Sequence, residues 1–175
     1  MLASPFLYID LLTQDYTDAG PQQSALFGLV FMTGMIFSIT GLYRLEAAGS
    51  KGNWLFTTQL AFISLAQAFH LDVLINGESL SSLQSFFEWF RPLSYLFMLV
   101  IGTAILIAGK IKGFASLAPM LTGTWAPLAL WIFTISPQWS THVAGLISFT
   151  AWFFTGWIIY QNKFSKPESA SRQFA

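Results

Sequence analysis

The chain carries eight basic and eight acidic residues, placed so that five long apolar stretches are left almost free of charge. A hydrocarbon core about 30 Å thick takes roughly 20 apolar residues in a helix. Segments 24–43, 54–75, 90–108, 114–135 and 142–160 each approach that length. The runs are continuous rather than alternating, which argues against the strands of a lipid-facing barrel. In hydrocarbon the backbone must satisfy its own hydrogen bonds, and that requires helices. The expected fold class is therefore all-α: a polytopic membrane protein, one transmembrane domain over 1–175, built as a five-helix bundle.

Composition supports this. Of 175 residues 54% are hydrophobic and 9% charged, with 18 Phe and 7 Trp. A soluble domain carries about 25% charged residues, so this chain could not cover a globular surface. A mean hydropathy of +0.58 separates it from disordered chains. A net charge of zero with no basic cluster gives nucleic acid nothing to bind. The absence of Cys removes disulfides, thiolate nucleophiles and Cys-held metal sites.

The loops orient the bundle. Arg44 and Lys51 lie between spans one and two, Lys110 and Lys112 between three and four, and Lys163, Lys166 and Arg172 after span five. The opposite side holds Asp10, Asp15, Asp18, Asp72, Glu78 and Glu88, with Arg91 its one base. The positive-inside rule then places the N-terminus outside and the C-terminus in the cytoplasm. An odd number of spans requires the same. Interfacial aromatics agree, with Tyr43, Trp54 and Tyr160 at the inner boundary and Trp89 and Trp139 at the outer one. With no organelle-targeting sequence, the expected location is a bacterial cytoplasmic (inner) membrane.

Outside the spans little is expected. The N-terminus lacks the basic region of a cleavable signal, and 1–12 reads either as a short interfacial helix or as a disordered leader. The loop 76–88, with Leu80, Leu83, Phe86 and Phe87, reads as a short interfacial helix. The polar tail 161–175 is too short to fold alone, so no second domain is expected.

Helices in lipid associate through close backbone approach and polar contacts, because lipid is as apolar as Leu. Gly34, Ser38 and Gly41 in span one, and Ala144, Ser148, Ala151 and Thr155 in span five, read as packing faces. Pro119, Gly123 and Pro127 interrupt span four. Each Pro deletes a helical hydrogen bond and is expected to bend the helix, and broken helices in membranes can line binding sites.

Ionisable groups inside a membrane are costly and are candidates for function. No Asp or Glu lies near the middle of any span, which argues against ion-coupled transport. Span two carries Gln59, Ser64, Gln67, His70 and Asp72, and Gln59, Ile63, Gln67 and His70 fall at helical spacing, so one face has a polar stripe. His70 falls roughly 9 Å below the surface. His142 opens span five at the same outer level, Glu88 and Arg91 open span three, and Tyr95 lies one turn further in. If these helices are neighbours, His70, Asp72, Glu88, Arg91, Tyr95, His142 and Gln67 meet in the outer leaflet, between spans two, three and five.

Such a cluster has three readings. Its members can satisfy one another, with Arg91 paired to Glu88 or Asp72 and the Gln side chains bonded across helices. They can rim an outward pocket for a small apolar or amphipathic ligand. Or His70 and His142 can ligate one b-type haem, or serve a quinone. Nucleophile-elbow and HExxH motifs are absent, so no enzyme is expected. A His late in one span followed by the acidic–aromatic opening FFEWFRP resembles, in organisation, the five- and six-span input modules of bacterial sensor proteins. The resemblance implies a sensory role and assigns none to any residue; such modules carry an output domain, which is not expected here. The leading expectation is a non-enzymatic ligand-binding sensory module or accessory subunit acting through a protein partner or as a homo-oligomer. The alternatives are a redox subunit and a passive small-molecule channel or carrier.

Overall fold

The computed structural model describes residues 20–77 and 81–164. Segment 1–12, the charges Asp10, Asp15, Asp18, Glu78, Lys166 and Arg172, Leu80 and the end of the tail lie outside the described residues. Every regular element among the described residues is helical: α1 (Pro21–Arg44), α2 (Asn53–Asn76), α3 (Ser82–Glu88), α4 (Phe90–Ala108), α5 (Ala118–Gly123), α6 (Trp125–Ile135) and α7 (Pro137–Phe164). Short 3-10 turns, Ser50–Gly52 and Phe114–Leu117, lead into α2 and α5.

Among the described residues three stretches are long and apolar enough to cross a membrane: Pro21–Arg44, Ser50–Asn76 and Ser82–Ala108. The bent pair α5–α6 makes a fourth when counted as one span. The segment expected as span five falls within the 28-residue α7.

The boundaries follow local chemistry. α1 starts with Pro21 in its first turn, where the missing N–H costs nothing. α2 ends at Gly77, whose φ of 76° is open to glycine at little cost. α4 ends at Gly109 in the left-handed region (φ 62°), and the Gly109 N–H donates to the Ile105 carbonyl at 3.1 Å. The short helix expected in 76–88 is α3, capped by Ser81 Oγ, which accepts from the Gln84 N–H at 3.2 Å. It runs into α4 through Trp89. Pro92 has no N–H to offer the Glu88 carbonyl, so the helical ladder is interrupted where α3 meets α4.

Span four is bent, but only one of its two prolines acts as expected. Pro119 lies in the first turn of α5, where proline fits without distortion. The bend comes between α5 and α6, which diverge by 67°. There Pro127 cannot donate to the Gly123 carbonyl. The Thr124 N–H and hydroxyl both turn back to the Leu121 carbonyl, at 3.2 and 2.8 Å. Gly123 rests on the backbone of α4: a Cβ there would lie 2.6 Å from Leu99 N and 2.8 Å from Tyr95 O.

The helices close a ring in the order α1, α2, α4, α5, α7 and back to α1, while α6 packs chiefly on α7. The core inside it is Phe31, Met35 and Ile39 of α1, Phe56 and Ile63 of α2, Met98 and Ile101 of α4, and Trp152 of α7. Small residues let backbones approach: Gly102 meets the Met120 backbone and Gly41 meets Ile159. Ser148, Ala151 and Thr155 are buried, as the packing stripe on span five required; the Ala144 side chain lies outside the description. A buried amide adds a polar tie, with Gln59 Nε2 donating to Ser94 Oγ at 2.9 Å and to the Ser94 carbonyl at 3.1 Å.

The ring has two chemically distinct ends. Lys110 bridges Glu46 at 2.9 Å, which joins the α1–α2 and α4–α5 connections at a basic end that also holds Arg44, Lys51 and Lys112. The opposite end carries Asp72, Glu88, Arg91 and His142. The boundary aromatics Tyr43, Trp54 and Tyr160 are exposed near the first, and Trp89 and Trp139 near the second.

Candidate functional site

At the end away from the lysines, α3 folds back over α2. Gln84 is buried, and its Nε2 donates to Asp72 Oδ2 at 2.7 Å and to the Gly77 carbonyl at 3.1 Å. Asn76 Nδ2 donates to the other Asp72 oxygen at 2.6 Å. Asp72 thus ties α2 to α3 through charge-assisted hydrogen bonds. Of the two partners weighed for Arg91, Glu88 is the one in ion-pair range, at 3.9 Å and one turn away. Both side chains are about half exposed, and such pairs are worth little.

A cleft of about 400 Å³ opens beside this pair, lined by Ser85, Glu88, Trp89, Arg91, Pro92 and Trp125. Two interruptions of regular helix shape it. The α3–α4 junction puts Glu88, Trp89 and Arg91 on one wall, and the break in span four brings in Trp125 as the first residue of α6. Tyr95 is buried, with its ring centroid 5.3 Å from that of Trp125. The indole Nε1 of Trp125 is buried and has no hydrogen-bond partner among the described residues. Unsatisfied buried donors are uncommon and call for a reason.

The remaining expected residues lie elsewhere. His70 is buried with its ring against Gly28 of α1, where a Cβ would overlap the imidazole. Arg91 is within electrostatic range of it. Gln67 donates to Thr33 Oγ1 on α1 at 3.1 Å, a tie between helices.

His142 is at a different depth. Phe31 meets Trp152 edge-on at 6.3 Å, and Gly41 meets Ile159, so α1 and α7 run parallel. That register puts Gly28, and His70 with it, level with about residues 146–149 of α7. His142 is then about 6–10 Å nearer the end of the bundle, with its ring 6.3 Å from Trp139. α1 stands between the helices that carry the two histidines. Among the described residues no group of three His, Cys, Asp or Glu is placed to hold a metal ion.

The structure therefore brings Glu88, Arg91 and, behind Trp125, Tyr95 together. It assigns Asp72 and Gln67 to ties between helices, and it separates His142 from His70. Sequence reasoning missed Trp125 and Gln84 and read Trp89 only as a boundary aromatic. The signal for Trp125 was present, since it lies between Gly123 and Pro127, where a break exposes whatever follows it.

Chemically, the cleft combines a guanidinium in one loose ion pair with two indoles. A guanidinium offers five donors in a fixed fork, suited to a carboxylate or phosphate. The indole faces suit a flat apolar body. Comparison with family models, with curated proteins and with solved structures finds no match to this chain, so its function is argued from the cleft's own chemistry.

Proposed function

We propose that this chain is a five-span protein of the bacterial cytoplasmic membrane, with the N-terminus outside and the C-terminus in the cytoplasm. It acts without catalysis, as a ligand-binding sensory module or accessory subunit that works through a protein partner. Its ligand is a small amphipathic molecule with an anionic or hydrogen-bond-accepting head. The head meets Arg91, and the apolar body lies between Trp89 and Trp125.

The observation that carries this reading is the cleft of about 400 Å³ at the bend of span four, beside Arg91 and its 3.9 Å link to Glu88. A break in a membrane helix exposes backbone and side-chain polar groups, and such breaks occur where they line a cavity. Five spans are supported by the four candidates and by the length of α7. The basic end, facing the cytoplasm under the positive-inside rule, leaves the cleft outside. A haem shared by His70 and His142 has less support, because cofactor sites in bundles use facing helices and α1 separates these two.

The test is mass spectrometry of small molecules released from protein purified in mild detergent. An amphipathic compound should accompany the parent and be depleted at least tenfold from Arg91→Ala and Trp125→Ala. An identical profile from all three proteins would remove the cleft from the account.

A further inference from the structure

The bend in span four has a second consequence, on the other side of the bundle. α6 diverges from α5 by 67°, and among the described residues part of α5 and the facing side of α7 are left open. Between them runs an apolar groove of about 600 Å³. Ala115, Ala118 and Leu121 line one wall, and Leu146, Thr150 and Trp157 line the other. Ala151 forms part of its buried floor, and Phe154 and Trp157 stand half exposed along its rim. The Thr150 hydroxyl is turned back to the Leu146 carbonyl at 2.8 Å, so the wall is apolar there too.

Its length and apolar lining suit an extended hydrocarbon chain. From Leu146 to Gln161 the groove follows α7 for about 22 Å. A single flexible hydrocarbon chain fits. The polar end of the groove is also marked. Gln161 lines it at the basic end of the bundle, and Lys112 lies three residues before Ala115. Lys112 is exposed and has no carboxylate in ion-pair range among the described residues, whereas Lys110 is engaged by Glu46.

We propose that the groove between α5 and α7 is a lipid site. It holds one acyl chain of an anionic phospholipid, with the phosphate at the basic end beside Lys112 and Gln161. The site is separate from the cleft at the opposite end, and either can fail without the other.

The test uses full-length protein reconstituted into vesicles of phosphatidylcholine and phosphatidylglycerol in equal amounts. The protein is re-extracted in mild detergent and weighed by native mass spectrometry. One retained phosphatidylglycerol per chain is expected, enriched about tenfold over phosphatidylcholine. Lys112→Glu should abolish the enrichment while a lipid is still retained. Thr150→Trp, which fills the groove from an exposed position, should remove the retained lipid. Retention in the proportions of the vesicle, retention undiminished in Thr150→Trp, or a partner's helix crosslinking to Thr150→Cys in the groove would each overturn the proposal.

Discussion

The imidazole of His70 lies directly against the backbone of Gly28, so that α1 and α2 approach where no side chain other than glycine's hydrogen would fit. The contact gives this histidine a packing role that its polarity conceals. Gly28→Ala forces the ring or the helices apart, and overpacking of this kind costs about 1–3 kcal/mol. Thermal unfolding in detergent should show the loss. His70→Ala should relieve much of it, so the double variant should be more stable than the two single effects added together. Additive losses would mean that the two residues do not meet.

Gln59 and Ser94 tie α2 to α4 at the centre of the bundle, yet Gln59 Oε1 is buried without a partner among the described residues. Hydrogen bonds between membrane helices average about 0.6 kcal/mol and reach about 1.7. Ser94→Ala leaves the buried amide short of one acceptor and should cost about 1 kcal/mol. Gln59→Met removes the donor and the orphan acceptor together and should cost less. Unfolding by denaturant checks the order; a larger loss for Gln59→Met would contradict it.

Gln84→Ala should release α3 from α2. The lost bonds go to a carboxylate and to the carbonyl at the end of α2, and a charge-assisted bond contributes about 1.5–3 kcal/mol. Amide hydrogen exchange across Ser81–Glu88 should rise ten- to hundredfold, with α4 beyond Tyr95 unchanged. Unaltered exchange in α3 would mean that this tie does not hold it.

The bend of span four is held by packing as well as by proline. Gly123→Ala brings a Cβ onto the α4 backbone and should cost about 1–3 kcal/mol. Pro127→Ala only restores an N–H and should be tolerated. Thermal unfolding of the two variants checks this, and equal tolerance would mean that the Gly123 contact does not hold the bend.

The helices could be read from the sequence because their signals are local. Charge-free length marked each candidate span, while the helix ends at Pro21, Gly77 and Gly109 came from the structure. The buried stripe of Ser148, Ala151 and Thr155 showed in its spacing. What could not be read depends on three-dimensional register. Pro119 and Pro127 look alike in a sequence, but only the second falls where a missing N–H breaks the ladder. His70 and His142 both lie near span ends, but the parallel register of α1 and α7 separates them in depth. Asp72 and Arg91 had suitable charges for pairing, but the return of α3 gives Asp72 to Gln84. Of the expected site, Glu88, Arg91 and Tyr95 were legible, and Trp125 became visible only once the bend was located.

The central claim is that the cleft beside Arg91 opens on the outer face of the cytoplasmic membrane. The chain has no cysteine, so single replacements report without background. Ser85 is exposed and lines the cleft, and Lys112 is exposed at the opposite end. The decisive measurement is labelling of Ser85→Cys and Lys112→Cys in intact bacterial cells with a membrane-impermeant maleimide. Ser85→Cys should label fully, and Lys112→Cys only after the cells are opened. Labelling of Lys112→Cys in intact cells, with Ser85→Cys protected until lysis, would invert the topology and place the cleft in the cytoplasm.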